Sequence, residues 1–142
     1  MASFNFNSMV RAVLTGSIDF DTDSFKMLLV TSALDETAKD TFDFRNDIVN
    51  EVANGNGYAT GGNAVTLTVA AVDTANNDVE ITASAVSWAA STIAAAGAVI
   101  YKSRGGASSA DEVICFLDFG ATISSTSGTF TVTPTASIKF QN

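Results

Sequence analysis

The chain has 142 residues, 46% of them apolar and 15% charged, which excludes a disordered chain and makes residues 1–142 a single domain by default. There is no His and a single Cys. That removes Ser-His-Asp and Cys-His nucleophile systems, His-ligated zinc and any intrachain disulfide, and leaves only carboxylate chemistry or a carboxylate-held cation. A net charge of −8 repels a phosphate backbone, so no direct nucleic-acid partner is expected.

Met1 to Asn7 lacks a basic region followed by an apolar run, so it does not read as a secretory signal. Asn7 or Ser8 can cap a short helix whose stripe is Met9, Val10, Val13 and Leu14, with Gly16 in the left-handed position after it. Phe25 to Val30 reads as a central strand, apolar on both faces apart from Lys26. The segment Asp19 to Glu51 holds nine carboxylates against Lys26, Lys39 and Arg45, whereas Val52 to Asn142 holds six against three cations. This marks an acidic front ahead of a Thr-, Ser-, Ala- and Val-rich body. Within the acidic front, Phe44, Ile48 and Val52 at helical spacing predict a second helix over Thr41 to Ala53. Asn54 to Gly62 is a glycine-rich loop.

From Val65 the apolar period becomes two. Val65, Leu67 and Val69 form one alternating set, and Val79, Ile81, Ala83 and Ala85 another, across a turn at Ala75 to Asn77. The apolar phase then shifts to Val86 and Trp88, which predicts a bulge and bend near Ala85 and Val86. Further strands are predicted at Ala98 to Lys102, Val113 to Phe119, Thr129 to Thr133 and Ile138 to Phe140, with a turn opened by Arg104, Gly105 and Gly106 and a stop at Pro134. The fold class is therefore mainly β, a β-sandwich or jelly roll with one or two short helices in the N-terminal third; an α+β sheet covered by the helices is the alternative. Ile81 to Tyr101 is uncharged and long enough to span a bilayer, but its Ala, Ser and Thr content carries little transfer free energy, so no membrane span is expected.

Few residues point to chemistry. Asp19, Asp21 and Asp23 have the opening spacing of a calcium loop, but Ser24 and Val30 stand where that loop needs Gly and Glu, leaving a weak calcium candidate beside a solvated acidic turn. Gly55, Gly57 and Gly61 miss the dinucleotide spacing by one residue, and no Lys-Ser/Thr pair follows Gly62. Cys115 lies in a run apolar on both faces and reads as a buried, inert thiol. Trp88 and Tyr101 read as core or subunit-contact residues, with a sugar-stacking pair, and hence a carbohydrate-binding or adhesion module, as the alternative. No catalytic residue, cofactor or firm metal site is assigned, and the chain is read as non-enzymatic.

Several stretches read together carry a resemblance: GSIDFDTDSFKMLLVTS (Gly16 to Ser32), NEV (Asn50 to Val52), GYATGG (Gly57 to Gly62), SW (Ser87, Trp88), AVIYK (Ala98 to Lys102), LDFG (Leu117 to Gly120) and GTFTV (Gly128 to Val132). In this order they resemble a group of small virion structural proteins of tailed bacteriophages, over nearly the whole chain. The resemblance implies a capsid decoration, or cement, protein on the outside of the assembled head, with the major capsid protein as partner; a tail or head-fibre component is the alternative. It implies a place in the virion, assembled in the host bacterial cytoplasm. Assembly on a symmetric lattice suits a homo-oligomer. Against those relatives the Ala94 to Gly97 stretch departs in being so small. Finally, residues 1–7 read as an extended arm with Phe4 and Phe6 on one face, expected to pack on a neighbouring subunit or the capsid by adding a strand to an open edge.

Overall fold

The computed structural model describes residues 2–135 and 138–141. In chain order the elements are β1 (Phe4–Asn5), α1 (Asn7–Leu14), β2 (Phe25–Val30), α2 (Ala38–Thr41), β3 (Asn63–Val65), β4 (Leu67–Val69), β5 (Asp78–Ala83), β6 (Val86–Ser91), β7 (Ala94–Lys102), β8 (Val113–Ser124), β9 (Gly128–Val132) and β10 (Ile138–Gln141). Single 3-10 turns sit at Arg45–Asp47 and Ser108–Ala110.

The strands form a five-stranded sheet in the order β1-β8-β7-β2-β3, a three-stranded sheet β10-β5-β4 and a two-stranded sheet β6-β9. Their pairings are antiparallel. The apolar run of β2 lies inside the large sheet, with β7 and β3 on its two sides, and is covered on both faces. Its register sorts the core into rows: Met27 lies beside Ile100, which lies beside Cys115, and Leu28 lies beside Val99, which lies beside Phe116 and then Phe4. The Met27 row, with Phe25, Leu29 and Ala98, packs against Ile81, Val86, Trp88, Phe130, Val132 and Ile138 of the two smaller sheets. The fold is thus a mainly β sandwich. The Leu28 row faces the other way and is covered by Leu34, Ala38, Ile48 and partly buried Phe42 from the acidic front.

Three expectations from the sequence need correction. The helix over Thr41 to Ala53 does not form. α2 ends where Phe42 turns extended, the Asp47 carboxylate accepts the Asp43 and Phe44 amides at 2.9 and 3.0 Å, and Phe44 and Glu51 make isolated bridges to Glu112 and Val30. Short Asx side chains bonding their own backbone compete with the helix, and that competition wins here. At α1, neither Asn7 nor Ser8 caps the helix. Asn7 Nδ2 donates to Asp40 Oδ1 at 2.6 Å and Ser8 Oγ to the Phe42 carbonyl at 2.9 Å, so both tie α1 to the α2 segment. The buried face is Met9 and Ala12, while Val10 and Leu14 point outward; Gly16, at φ +78°, does occupy the left-handed position.

The third correction concerns the N-terminal arm. β1 adds to the open side of β8 in the chain's own sheet, with Phe4 opposite Phe116, and the Phe6 amide donates to the Ile114 carbonyl at 3.0 Å. Phe6 is fully buried, 5.3 Å from the Phe4 ring centroid, and Phe4 lies 5.3 Å from that of Phe116. The arm thus belongs to the domain's own core, with Phe6 buried in the cluster of Leu28, Val99 and Phe116 and partly buried Phe4 packed against it.

The change of direction expected near Ala85 is present as a change of sheet: β5 pairs with β4 and β10, and β6 with β9. The irregularity in the β6 ladder itself lies further on, between Trp88 and Ser91, where Ala90 adopts φ +47°. The small Ala94–Gly97 stretch is part of β7, and its size has a reason. A Cβ on Gly97 would run into the Phe116 ring and stand 2.8 Å from the Leu117 carbonyl oxygen.

Candidate functional site

Three of the chain's seven cations, Arg45, Lys102 and Arg104, gather at one end of the β7–β8 pair. β7 delivers Lys102, the connection carries Arg104 and Asp111, and Glu112 immediately precedes β8. The Lys102 Nζ is almost buried; it donates to the Ser17 carbonyl at 2.6 Å and pairs with Asp23 Oδ2 at 2.7 Å. Asp111 is buried and accepts at both oxygens, from the Arg104 amide at 2.9 Å and from Arg45 Nε at 3.0 Å. Arg104 grips Glu112 with two nitrogens, at 2.6 and 3.1 Å, a geometry that only the planar guanidinium offers. Beside this cluster runs a groove of about 430 Å³ between α1 and the 43–44 segment, lined among others by Ser8, Arg11, Asp43, Phe44 and Glu112.

Burial opposes the charge on Asp23, yet the Asp19 amide and the Lys102 ammonium together hold its carboxyl below the usual carboxylate value. The cluster clamps three segments, the 17–23 turn, the 45–47 turn and the 103–112 connection, onto the end of the large sheet.

A second polar knot joins the acidic front to the glycine loop. Glu51 Oε1 accepts from the Tyr58 hydroxyl at 2.7 Å and from the Gly61 amide at 2.5 Å. The Tyr58 oxygen in turn accepts the Leu29 amide at 3.1 Å, and the Tyr101 hydroxyl donates to the Gly61 carbonyl at 2.6 Å. The Arg45 guanidinium lies 5.1 Å from the Tyr101 ring centroid, linking the two networks. Burial pushes the Tyr101 hydroxyl up to about 12 despite Arg45, and burial likewise raises Tyr58. Both phenols therefore act as neutral hydrogen-bond donors.

The residues singled out in the sequence fall into place as follows. Asp19 accepts the Asp21 amide at 2.9 Å, and Asp23 accepts the Asp19 amide at 2.8 Å. The triplet thus folds into its own turn. Among the described residues no three acidic, Cys or His side chains converge to hold a metal. Trp88 and Tyr101 are each 2% exposed, so neither offers a ring to a sugar; Trp88 packs between Tyr58 and Phe130. Burial raises the Cys115 thiol to about 12, an unreactive state. The glycine loop approaches strands instead of a phosphate: Gly62 sits against the Met27 carbonyl and Gly57 against Ser91. Ile81 to Tyr101 is divided among β5, β6 and β7, and among the described residues no helix is long and apolar enough to cross a membrane.

Sequence reasoning missed the clamp and the knot. The signal available was the symmetry of charges around one apolar hairpin, Lys102 and Arg104 at its exit from β7 and Asp111 and Glu112 at its entry to β8. Glu51 carried no such mark. Compared with protein-family models, with characterised proteins and with solved structures, the chain finds no match.

Proposed function

We propose that this chain is a non-enzymatic structural protein of a tailed-bacteriophage particle, a decoration protein seated on the outside of the assembled head with the major capsid protein as its partner. The observation that carries this reading is the ordered run of motifs from Gly16 to Val132. Those motifs coincide with the positions that shape a β domain: Gly62 against the β2 backbone, Trp88 in the inner core, the buried Ala98 to Lys102 of β7, and Phe130 and Val132 of β9. The two polar networks support the reading by holding connections rigid on a domain that works outside a cell. Binding that favours the assembled lattice stabilises it by mass action.

The test compares particles that carry the protein with particles that lack it. Loss of resistance to heat and osmotic shock in its absence, with the protein co-sedimenting with purified heads, is the expected result. Unchanged resistance together with co-sedimentation with tails overturns the decoration reading in favour of a tail or head-fibre component.

A further inference from the structure

Strand edges left open in a sheet invite pairing, and proteins defend them with short length, charge, proline or bulges. In this molecule β1 has two residues and β3 and β4 three each. β10 carries Lys139, ion-paired to Glu80. The second half of β8 is bulged, with Gly120 at φ +76°, and the outer side of β6 gives its Ser87 carbonyl to Asn63 Nδ2 at 2.9 Å. β9 is different. It has five residues, its ladder irregularity belongs to β6, and among the described residues no strand pairs with its other edge. Along that edge lies a groove of about 210 Å³ lined by Phe119, Ile123, Phe130, Thr131, Val132 and Thr133, with Ile123 49% exposed.

We infer that the open edge of β9 is a self-association surface that pairs antiparallel with β9 of a second copy of this chain. Two observations select that occupant. The first is charge. On a chain of net charge −8, residues 81–101 and 119–138 contain no Asp, Glu, Lys or Arg, so two copies meeting here bring no like charges into the contact. The second is self-complementarity of the strand. A two-fold axis at Thr131 places Thr131 opposite its own copy and Thr129 opposite Thr133 on the exposed face. On the inner face it places Phe130 opposite Val132, the aromatic and β-branched pairing that antiparallel ladders favour. The Ser87 Oγ to Thr131 Oγ1 hydrogen bond, 2.9 Å, then continues across the axis as a hydroxyl ladder. Pro134 limits the pairing to this short stretch, and a two-fold contact closes on itself without forming fibres. The inference goes beyond the virion reading and stands without it.

Sedimentation equilibrium of the full chain tests it, with Thr131→Lys and Thr131→Cys as variants. Thr131 is exposed, so lysine is tolerated in the monomer but sets two ammonium groups opposite one another in the pair. We expect a monomer–dimer equilibrium in the wild type, a dissociation constant raised about tenfold or more by Thr131→Lys, and rapid disulfide-linked dimer from Thr131→Cys but not from Thr68→Cys on the β4 edge. A chain that stays monomeric at all concentrations, a closed trimer or larger ring, or a dimer that Thr131→Lys leaves unchanged overturns the proposal. Should Thr131→Lys lose its β circular dichroism, the two cysteine variants decide: equal cross-linking at both positions overturns it.

Discussion

The two faces of the large sheet are buried by different means. The inner face, with Phe25, Met27 and Leu29 of β2, meets other strands whose inward residues repeat every second position, among them Val86 and Trp88, and Phe130 and Val132. The outer face, with Leu28, Val99 and Phe116, meets a segment without periodicity. Its cover rests on a few anchors, Leu34, Ala38, Phe42 and Ile48, and on backbone bonds such as Thr31 N–H to the Asn50 carbonyl at 2.9 Å and Val52 N–H to the Leu29 carbonyl at 2.9 Å. A strand-covered face distributes burial over many equivalent contacts. A loop-covered face concentrates it at a few, and depends on polar groups to fix the loop's path.

The sharpest way to break the arrangement is at the joint both halves share. Gly62 has φ +71°, and a Cβ there would collide with the Met27 carbonyl and stand 2.8 Å from Leu28 Cα. Those are backbone atoms of β2, which cannot swing aside. Gly62→Ala should cost more than about 4 kcal/mol, at the extreme of single substitutions, read as loss of a cooperative urea transition. A variant that unfolds within about 1 kcal/mol of wild type would show that β2 is far more pliable than its place inside the sheet implies.

The next pair measures the comparison directly. Leu29, fully buried in the inner row, is laddered to Ala98 on one side and bonded to the Tyr58 hydroxyl and the Val52 amide on the other, so Leu29→Ala should leave an uncollapsed cavity and cost about 4–5 kcal/mol. Leu34 sits on the loop cover at 6% exposure, where the chain can settle into the space, and Leu34→Ala should cost about 2–3 kcal/mol. Equal losses in urea titrations would mean that the loop is as rigid as the strand.

That contrast also decides how much was legible in the sequence. β2, β5, β7, β8 and β9 announce themselves because side-chain alternation or a doubly apolar run is the direct imprint of a sheet on its neighbours. The cover over the outer face leaves no such imprint. Phe44, Ile48 and Val52 fall at helical spacing by accident: Phe44 is 37% exposed, Ile48 is buried on the outer face and partly buried Val52 packs in the inner core. Phe4 and Phe6 read as spare aromatics because the strand they pack on, β8, lies more than a hundred residues away. The clamp at Lys102 and Asp111 was hidden for the same reason, since its partners Asp23 and Arg45 come from distant turns.

Smaller effects probe the polar ties. Tyr58→Phe keeps the ring against Trp88 but removes the oxygen that accepts the Leu29 amide and donates to Glu51. We expect a loss of about 1–3 kcal/mol, with faster amide exchange at Leu29 as the specific signature. Unchanged exchange there would mean the knot does not hold the loop to β2. Ala90→Gly should act in the opposite sense, because Ala90 at φ +47° occupies a region that disfavours a Cβ. A gain of about 0.5–1 kcal/mol in thermal unfolding is the expected outcome, and a loss would point to packing of the Ala90 methyl that outweighs the strain.

The finest test separates charge from shape at the clamp. Asp23 is held below its ordinary value of 3.8: burial raises it, but the Asp19 amide and Lys102 lower it further. The folded protein therefore gives up the Asp23 proton more readily than the unfolded chain does. The stability this contributes is fully present above the unfolded value, and falling pH removes it as the carboxylate protonates through its lower folded pKa. Asp23→Asn keeps the shape and an amide oxygen that still accepts from the Asp19 amide and from the nearly buried Lys102 ammonium, but removes the negative charge beside that ammonium. The gap in stability between wild type and variant should be widest near pH 7 and narrow steadily below about pH 4, traced by urea midpoints at successive pH values. Asp19 also has a lowered carboxyl, held chiefly by the Asp21 amide, so wild type alone would mix the two. The difference between the two proteins isolates Asp23. A gap that stays constant across the acid range would assign the clamp's contribution to hydrogen-bond geometry instead of charge.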